Sequence, residues 1–146
     1  PRELEVAVLG NPPGDVRIGG PGEVVPSRDF YDYIDKYVVD AARVLARAEV
    51  DEATAARCRR IADVAYTLVG AQGFARVDLL GDRRTGDVYL NEINTIPGFT
   101  PISLFPQMAA TGLGSFAAVC RRIVELAEAR QATRVRSRLA IADLPR

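Results

Sequence analysis

Apolar and polar residues alternate near the start of the chain in a way that predicts β-structure. Residues 3–10, with the sequence ELEVAVLG, place Leu, Val and Val on one face and Glu, Glu and Ala on the other. Alternation with a period of two is typical of a strand. Two shorter apolar runs, at residues 16–18 and 22–25, predict two further short strands, separated from the first by a Pro- and Gly-rich turn.

The period changes to that of a helix in the middle of the chain. We predict a helix from Asp51 through Val69, because Asp51 is a favourable N-cap and Gly70 follows as a stop signal. Its apolar positions recur at helical spacing and predict one inward stripe, formed by Cys58, Ile61, Ala65 and Leu68.

Two more helices are predicted in the last third of the chain. One runs from about Ser103 to Thr111, and the next begins after the capping residue Ser115. Its predicted inward residues are Phe116, Val119, Cys120, Ile123 and Ala127. Residues 131–146 carry four arginines and one acid, which predicts an extended or frayed C-terminal tail, with a contact to a second subunit as the alternative.

A hairpin separates the first helix from the second. Residues 74–80 and 88–94 are rich in β-branched and aromatic side chains, and the polar run at 81–86 supplies the reversal. The order strand-rich region, helix, hairpin, helix, helix predicts an α+β fold, a largely antiparallel sheet backed by helices.

The predicted hairpin brings charged side chains together. If Leu80 pairs near Leu90, Asp78 lies opposite Glu92 and Arg76 lies opposite Asn94. Like charges opposite each other are destabilising, and a hard cation such as Mg²⁺, which takes carboxylate oxygens, would compensate. The alternative is the solvated face of an ordinary hairpin, in which arginine neutralises one carboxylate.

The hairpin leads into a Pro- and Gly-containing loop, NTIPGFTP, at residues 94–101. Its glycine lets the backbone approach a ligand closely. Ser103 then begins a predicted helix, whose free N–H groups favour an anion.

Composition narrows the possible chemistry. The 146 residues have no net charge, 48% are hydrophobic and no apolar run reaches the roughly 20 residues of a membrane helix, so neither nucleic acid nor a membrane is expected as a partner. Histidine is missing from the sequence, which excludes His-based catalysis and His-ligated zinc. The two cysteines, Cys58 and Cys120, are interpreted as buried small hydrophobes rather than a disulfide or a nucleophile, in keeping with a cytoplasmic protein.

The aromatic segment FYDYIDKY, at residues 30–37, fits neither period. It contains Lys36, the one lysine beside 18 arginines. We interpret it as a loop with a short helical turn, and a core strand with inward aromatics is the alternative.

Three groups of residues together resemble a known family. They are Arg76-Val77-Asp78, the run LNEINTIPGFT at residues 90–100, and Ser103-Leu104 followed by Pro106. This pattern closely resembles the C-terminal end of D-alanine–D-alanine ligases, members of the ATP-grasp superfamily. The resemblance covers roughly residues 1–130, which are therefore expected to form a C-terminal ATP-grasp catalytic domain, with residues 131–146 as its tail.

The resemblance implies a role for each residue of the hairpin. Asp78, Glu92 and Asn94 match the ligands of two Mg²⁺ ions, with Glu92 bridging, and Mn²⁺ would serve as well. Arg76 matches an arginine that stabilises the tetrahedral intermediate and contacts substrate, and Gly98 matches a backbone N–H in the same oxyanion site.

The remaining implied roles concern the substrates. Ser103 and Leu104 match the group that holds the carboxylate of the second D-alanine. Lys36 matches a lysine at the γ-phosphate of ATP, and Tyr37 a tyrosine that hydrogen-bonds to upstream domains. Glu3 resembles a glutamate that holds the ATP ribose, and Asn91 joins Glu92 in the implied ATP site.

The implied activity is ATP- and Mg²⁺-dependent formation of D-alanyl-D-alanine through an acyl-phosphate, for peptidoglycan synthesis. Such ligases carry two regions upstream of this one, so the chain is expected to be a fragment, inactive alone, that works with those domains in a possible homodimer. The alternatives are a ligase with another acceptor, such as D-lactate or D-serine, and a non-catalytic module that binds nucleotide or a partner.

Overall fold

A five-stranded antiparallel sheet is the centre of the computed structural model, which describes residues 1–25, 43–100 and 102–142, and side chains through residue 134. The strand order is β3-β2-β1-β4-β5. The strands are β1 (Arg2–Gly10), β2 (Val16–Val25), β3 (Arg43–Leu45), β4 (Gly73–Gly81) and β5 (Val88–Asn94). The helices are α1 (Glu52–Leu68), α2 (Leu104–Leu113) and α3 (Phe116–Ala142). The predicted α+β architecture is confirmed.

The middle strand, β1, is buried on both faces because helices cover both sides of the sheet. One surface, here called the α1 face, carries the aliphatic side chains of β1 and β4 under helix α1. Its residues are Leu4, Val6, Val8, Ala75, Val77 and Leu79. The opposite surface, here called the cleft face, carries the alternate residues of the same strands, and α2 and α3 cover part of it.

Strand β2 is longer than predicted. The two short strands expected at residues 16–18 and 22–25 are one strand, which pairs with β1 through an irregularity between Glu5 and Ala7. Glycine lets α2 pack directly on this strand, because a Cβ at Gly19 would lie 2.2 Å from the Met108 carbonyl oxygen. The sequence suggested a break where glycine and proline interrupt the apolar pattern, and this break is a bulge at Gly20 and Pro21, with pairing to β1 on both sides of it.

Helix α1 begins and ends as predicted, but its inward stripe differs. Asp51 is the N-cap and accepts a hydrogen bond from the Thr54 N–H at 2.6 Å. The predicted inward position of Leu68 is wrong, because this side chain is 80% exposed. Tyr66 is buried instead, with its hydroxyl donating to the Gly10 carbonyl oxygen at 2.9 Å. The buried residues are Ala55, Cys58, Ala62, Ala65 and Tyr66.

The last helix, α3, differs from the predicted tail. Ser115 caps it as expected, accepting from the Ala118 N–H at 3.1 Å. The extended conformation predicted for residues 131–146 is wrong as far as Ala142, because the helix continues to that residue. The Ala, Arg and Leu residues of this segment are good helix formers, and this propensity outweighs the lack of an apolar stripe. The division at residue 130 stays a prediction.

The hairpin of β4 and β5 has the predicted pairing at its inner end. Asp78 lies opposite Glu92 and Arg76 opposite Asn94. The pairing then shifts by one residue between Asp78 and Leu79, so Leu79 rather than Leu80 lies opposite Leu90. Asn91 is the extra residue of this β-bulge, a feature that re-aims side chains and is frequent near active sites.

None of the helices within the described ranges combines the length and the apolar character needed to cross a bilayer.

Candidate functional site

An open cleft of about 720 Å³ lies on the cleft face, where α2 ends its cover of the sheet. Strands β1, β4 and β5 form its floor, and the loop before α2 forms one wall. Eight of the predicted site residues line it: Glu3, Arg76, Asp78, Asn91, Glu92, Gly98, Ser103 and Leu104. The structure therefore brings together residues that are up to about 100 positions apart in the sequence.

A compact polar cluster lies at the inner end of the hairpin. Arg76 donates from Nε and Nη2 to the two oxygens of Asp78, both at 2.7 Å. Asn94 donates from Nδ2 to Asp78 Oδ2 and to Glu92 Oε1, both at 2.9 Å. The four side chains thus form one hydrogen-bonded network, as the predicted pairing required.

The positive charge of this network is on Arg76. The hydrogen bonds that the Arg76 guanidinium donates to Asp78 raise its pKa, and the nearby carboxylates of Glu5 and Glu92 add to this effect against the opposing effect of burial. The guanidinium is therefore a permanent positive charge beside three carboxylates.

The donor set suits a hard cation. Asp78 and Glu92 offer carboxylate oxygens, and rotation of the Asn94 amide by half a turn would offer its Oδ1, since the two ends of an amide are assigned from hydrogen bonding. The described part of the chain contains no group of three or more His, Cys, Asp or Glu residues arranged to hold a metal. The protein donors here are two carboxylates and one amide, which agrees with Mg²⁺ because this ion keeps several waters and substrate phosphates in its shell.

The wall opposite the cluster is the loop that leads into α2. Ser103 is the N-cap of α2 by conformation, and its side chain makes no capping hydrogen bond. Its Oγ instead accepts from the Thr100 N–H at 3.1 Å and lies 2.9 Å from Thr100 Oγ1. The N–H groups at the start of α2 therefore have no side-chain cap from Ser103, at a point where Ser103 and Leu104 line the cleft, and such a helix terminus favours an anion.

Position 98 in this wall leaves little room for a side chain. A Cβ on Gly98 would lie 3.1 Å from Ser103 Oγ, closer than side chains ordinarily pack. The absence of a side chain on Gly98 therefore lets the loop backbone lie close to the serine hydroxyl.

Two predicted site residues cannot be placed. Lys36 and Tyr37 lie outside the described residues. Glu3 and Asn91 line the cleft, but their implied contacts with ATP stay predictions.

Sequence reasoning missed Glu5. This residue lies opposite Asp78 across the pair β1–β4, and its Oε2 is 3.4 Å from Arg76 Nε. The side chain is only 13% exposed. The sequence already placed Glu3 and Glu5 on the same face of β1. To predict that Glu5 lies beside Arg76, one must also know that β1 pairs with β4 rather than with another strand.

Known proteins match this chain over the residues that form the cleft. The family model described as D-ala D-ala ligase C-terminus matches residues 1–125. A D-alanine–D-alanine ligase of Chlorobaculum tepidum is 46% identical over 127 residues, covering 86% of this chain and 34% of the relative. One of Heliobacterium modesticaldum is 42% identical over 146 residues, covering 99% of this chain and 38% of the relative.

Solved structures agree with the sequence matches. The D-alanine–D-alanine ligase from Coxiella burnetii superposes with a TM-score of 0.76 at 33% identity, over 98% of this chain and 37% of that one. The VanG D-Ala:D-Ser ligase from Enterococcus faecalis gives a TM-score of 0.72 at 33% identity, over 86% of this chain and 36% of that one. The chain thus spans little more than a third of the length of the proteins it matches.

These matches confirm the ATP-grasp fold expected from the resemblance. The family model covers most of the chain, and the residues it spans include the hairpin cluster, the loop and the start of α2. The chain belongs to the D-alanine–D-alanine ligase family and corresponds to its C-terminal part.

Proposed function

We propose that the intact protein containing this chain is an ATP- and Mg²⁺-dependent ligase that joins two D-alanine molecules through an acyl-phosphate. This chain would supply the sites for the metal, the phosphates and the second substrate. The upstream part of the same polypeptide would supply the rest, including the first D-alanine site. Action in the cytoplasm, for peptidoglycan synthesis, and assembly as a homodimer belong to the same proposal.

One observation carries the proposal. Arg76, Asp78 and Glu92, which are bonded with Asn94 in one network, line the same cleft as the start of α2, whose N-terminus has no side-chain cap. A ligase of this kind must neutralise phosphate charge on one side and hold a carboxylate on the other. The cleft has chemistry for both tasks.

Asp78, Glu92 and Asn94 are the residues that would hold the metal ions. Mg²⁺ bound there would offset the charge on the transferred phosphoryl group. Glu92 is exposed at the edge of the cluster, where it can contribute both of its oxygens, whereas Asp78 lies deeper and is shared with Arg76. Mn²⁺ prefers the same oxygen ligands.

Arg76 and Gly98 would act on the reacting carbon. The guanidinium has N–H donors in a planar fork and can donate to an oxygen that becomes negative when an amine attacks the acyl-phosphate. The Gly98 N–H would donate to the same oxygen from the opposite wall. The Asp78 contact holds the guanidinium in the cleft before substrate binds.

Ser103 and Leu104 would hold the carboxylate of the second D-alanine. The Leu104 N–H is in the first turn of α2, where the backbone carries a partial positive charge. The Ser103 hydroxyl already lies at the cleft wall through its contacts with Thr100. Together they would orient the amine of this substrate toward the acyl-phosphate.

Glu3, Asn91, Lys36 and Tyr37 complete the proposed nucleotide side. Glu3 would accept hydrogen bonds from the ribose, and Asn91 and Glu92 would lie beside the phosphates. Lys36 would pair with the γ-phosphate, and Tyr37 would bond to the upstream domains.

The test is product analysis with the purified intact protein. ATP, Mg²⁺ and D-alanine should give D-alanyl-D-alanine, ADP and phosphate in equal amounts, detected by mass spectrometry and a coupled ADP assay. The controls omit D-alanine or replace Mg²⁺ with EDTA. Hydrolysis of ATP without dipeptide would contradict the proposal.

A second acceptor has support from one comparison, because a similar structure is named a D-Ala:D-Ser ligase. The same assay with D-serine and D-lactate beside D-alanine separates these products by mass. If the folded intact protein turns over none of them, a binding module becomes the better description.

A further inference from the structure

Arg76 lies between two carboxylates, of which the family resemblance assigned a role to one. Asp78 holds the guanidinium at two points, and Glu5 approaches it from the neighbouring strand, with Oε2 at 3.4 Å from Nε. All three side chains are mostly buried, with exposures of 23% for Arg76, 15% for Asp78 and 13% for Glu5.

In the proposed function, Asp78 contacts both Arg76 and a metal ion. Its Oδ1 accepts from Arg76, and its Oδ2 accepts from both Arg76 and Asn94. Three of the about four lone-pair positions of this carboxylate are therefore occupied, so a metal ion at Asp78 would share it with Arg76 and draw charge away from the hydrogen bonds to the guanidinium. An ion held by both oxygens of Asp78 would displace one of those bonds.

A guanidinium released from its partner becomes mobile unless another group holds it. A free arginine side chain regains rotamer freedom, which would cost precision where the chemistry needs a fixed donor. Glu5 is the carboxylate that already lies within ion-pair distance, and it is fixed on the middle strand of the sheet. Strand pairing between β1 and β4 sets this distance, since Glu5 lies directly opposite Asp78.

We infer that Glu5 is a positioning residue, which holds Arg76 in the cleft while Asp78 is engaged by the metal. This inference rests on the proposed function. Two effects follow. Glu5 lowers the cost of metal binding at Asp78 by keeping Arg76 paired, and it keeps the guanidinium aimed at the reacting carbon.

The test uses Glu5→Gln in the intact protein, because glutamine keeps the size of the side chain and removes its charge. We expect kcat to fall about 10-fold with the KM for ATP unchanged, the size of effect typical for residues that orient metal-site groups. Mn²⁺ affinity, measured without turnover from the EPR signal of free Mn²⁺, should fall by a similar factor.

The negative charge of Glu5 could attract a cation without involving Arg76. The same measurements in an Arg76→Gln background separate the two cases, because effects transmitted through Arg76 are not additive with its removal. We expect Glu5→Gln to have no further effect on Mn²⁺ affinity in that background. An undiminished effect there would overturn the inference.

The matched control is Glu52→Gln, which removes the charge of an exposed glutamate that pairs with Arg59 on the outer surface of α1. It should leave kcat and Mn²⁺ affinity as in the wild type. If Glu5→Gln does not fold, Glu5→Asp replaces it, since aspartate keeps the charge but falls short of Arg76 by one methylene. The same losses are expected, and full kcat with this variant would overturn the inference.

Failure of the inference differs from failure of the proposed function. A wild type that makes dipeptide together with an equally active Glu5→Gln variant overturns the inference alone. A wild type that makes no dipeptide overturns both.

Discussion

The two faces of the sheet are built from the same strands but from different kinds of side chain. The α1 face is aliphatic along β1 and β4, where α1 covers it, and carries one buried ion pair, Arg2 with Glu23, toward its end. The cleft face changes along the strands. It is apolar near Leu9 and Phe74, where α2 and α3 cover it, and charged from Arg76 to Glu3, where it is open.

One face of the sheet therefore contributes mainly to the stability of the fold, and the other carries the candidate site, although both faces belong to the same strands. Burial of aliphatic surface on the α1 face contributes to folding and needs no particular partner. The open half of the cleft face contributes little apolar burial, and its charged side chains are held by hydrogen bonds that a ligand can replace. Changes on the two faces should therefore have different consequences.

The largest effect is expected in the open half of the cleft face. Glu92→Gln removes one carboxylate from the proposed metal site, and we expect ligase activity to fall about a thousandfold or more, corresponding to several kcal/mol of lost charge stabilisation. Stability should be unchanged, because the side chain is exposed and its removal relieves repulsion with Asp78. Activity assays and urea denaturation of the same preparation check both. Full activity would contradict the assignment of Glu92.

The next effect concerns the covered half of the same face. Phe105 is completely buried and packs on Phe74 and Phe99 with ring centroids 5.5 and 5.8 Å apart. Phe105→Ala should lower the free energy of unfolding by about 3–5 kcal/mol, measured by urea denaturation. Phe116→Ala, at the 41% exposed edge of the same cluster, is the matched control and should cost clearly less.

A smaller effect is expected on the α1 face, at Tyr66. Burial raises the pKa of its hydroxyl to about 12, while a nearby arginine, Arg130, lowers it slightly. The unfolded value is about 10, so the hydroxyl stabilises the fold below pH 10 and this contribution is lost as the pH rises toward 12. Tyr66→Phe should cost about 1 kcal/mol at neutral pH through the lost bond to Gly10, and should reduce the alkaline loss of stability.

The measurement for Tyr66 is urea denaturation of wild type and variant at pH 8 and at higher pH. Tyr89→Phe is the control, because this side chain is 60% exposed at the edge strand and should leave stability at neutral pH as in the wild type. An identical pH dependence for Tyr66→Phe and wild type would show that the hydroxyl is not protected by burial.

The smallest effect is expected at Leu68, on the outer surface of α1. Leu68→Gln should change the free energy of unfolding by no more than about 0.5 kcal/mol, because the side chain is 80% exposed. Leu4→Ala, at a completely covered position of the α1 face, is the comparison and should cost about 2–5 kcal/mol. If both variants lose a similar amount, α1 presents its stripe as the sequence first indicated.

Local patterns predicted much of this fold. The strand at β1, the cap at Asp51 and the pairing of Asp78 with Glu92 follow from residues close together in sequence, and the structure has each of them. The errors have a common origin in tertiary packing. Tyr66 rather than Leu68 is buried, where its hydroxyl reaches the Gly10 carbonyl, and β2 pairs with β1 on both sides of a bulge at Gly20 and Pro21.

The candidate site was predictable to a similar extent. To predict the polar cluster of the hairpin, it was enough to pair two strands that follow each other in sequence. To predict the N-terminus of α2, it was enough to recognise one capping residue. To predict that Glu5 belongs to the site, one must know that β1 pairs with β4. These strands are separated in sequence by β2, β3 and α1. No local pattern encodes which distant strand becomes a neighbour, so this residue became visible only in three dimensions.

The β-bulge at Asn91 gives the hairpin two different pairing registers. The pairs from Leu79–Leu90 to Gly81–Val88, near the turn, have one register, and the pairs at Asp78 and Arg76 have another that is shifted by one residue. If the outer alignment continued without the bulge, Glu92 would lie opposite Val77 on the α1 face, and Asp78 would lie opposite Asn91. The single extra residue therefore keeps the Glu92 carboxylate in the cleft.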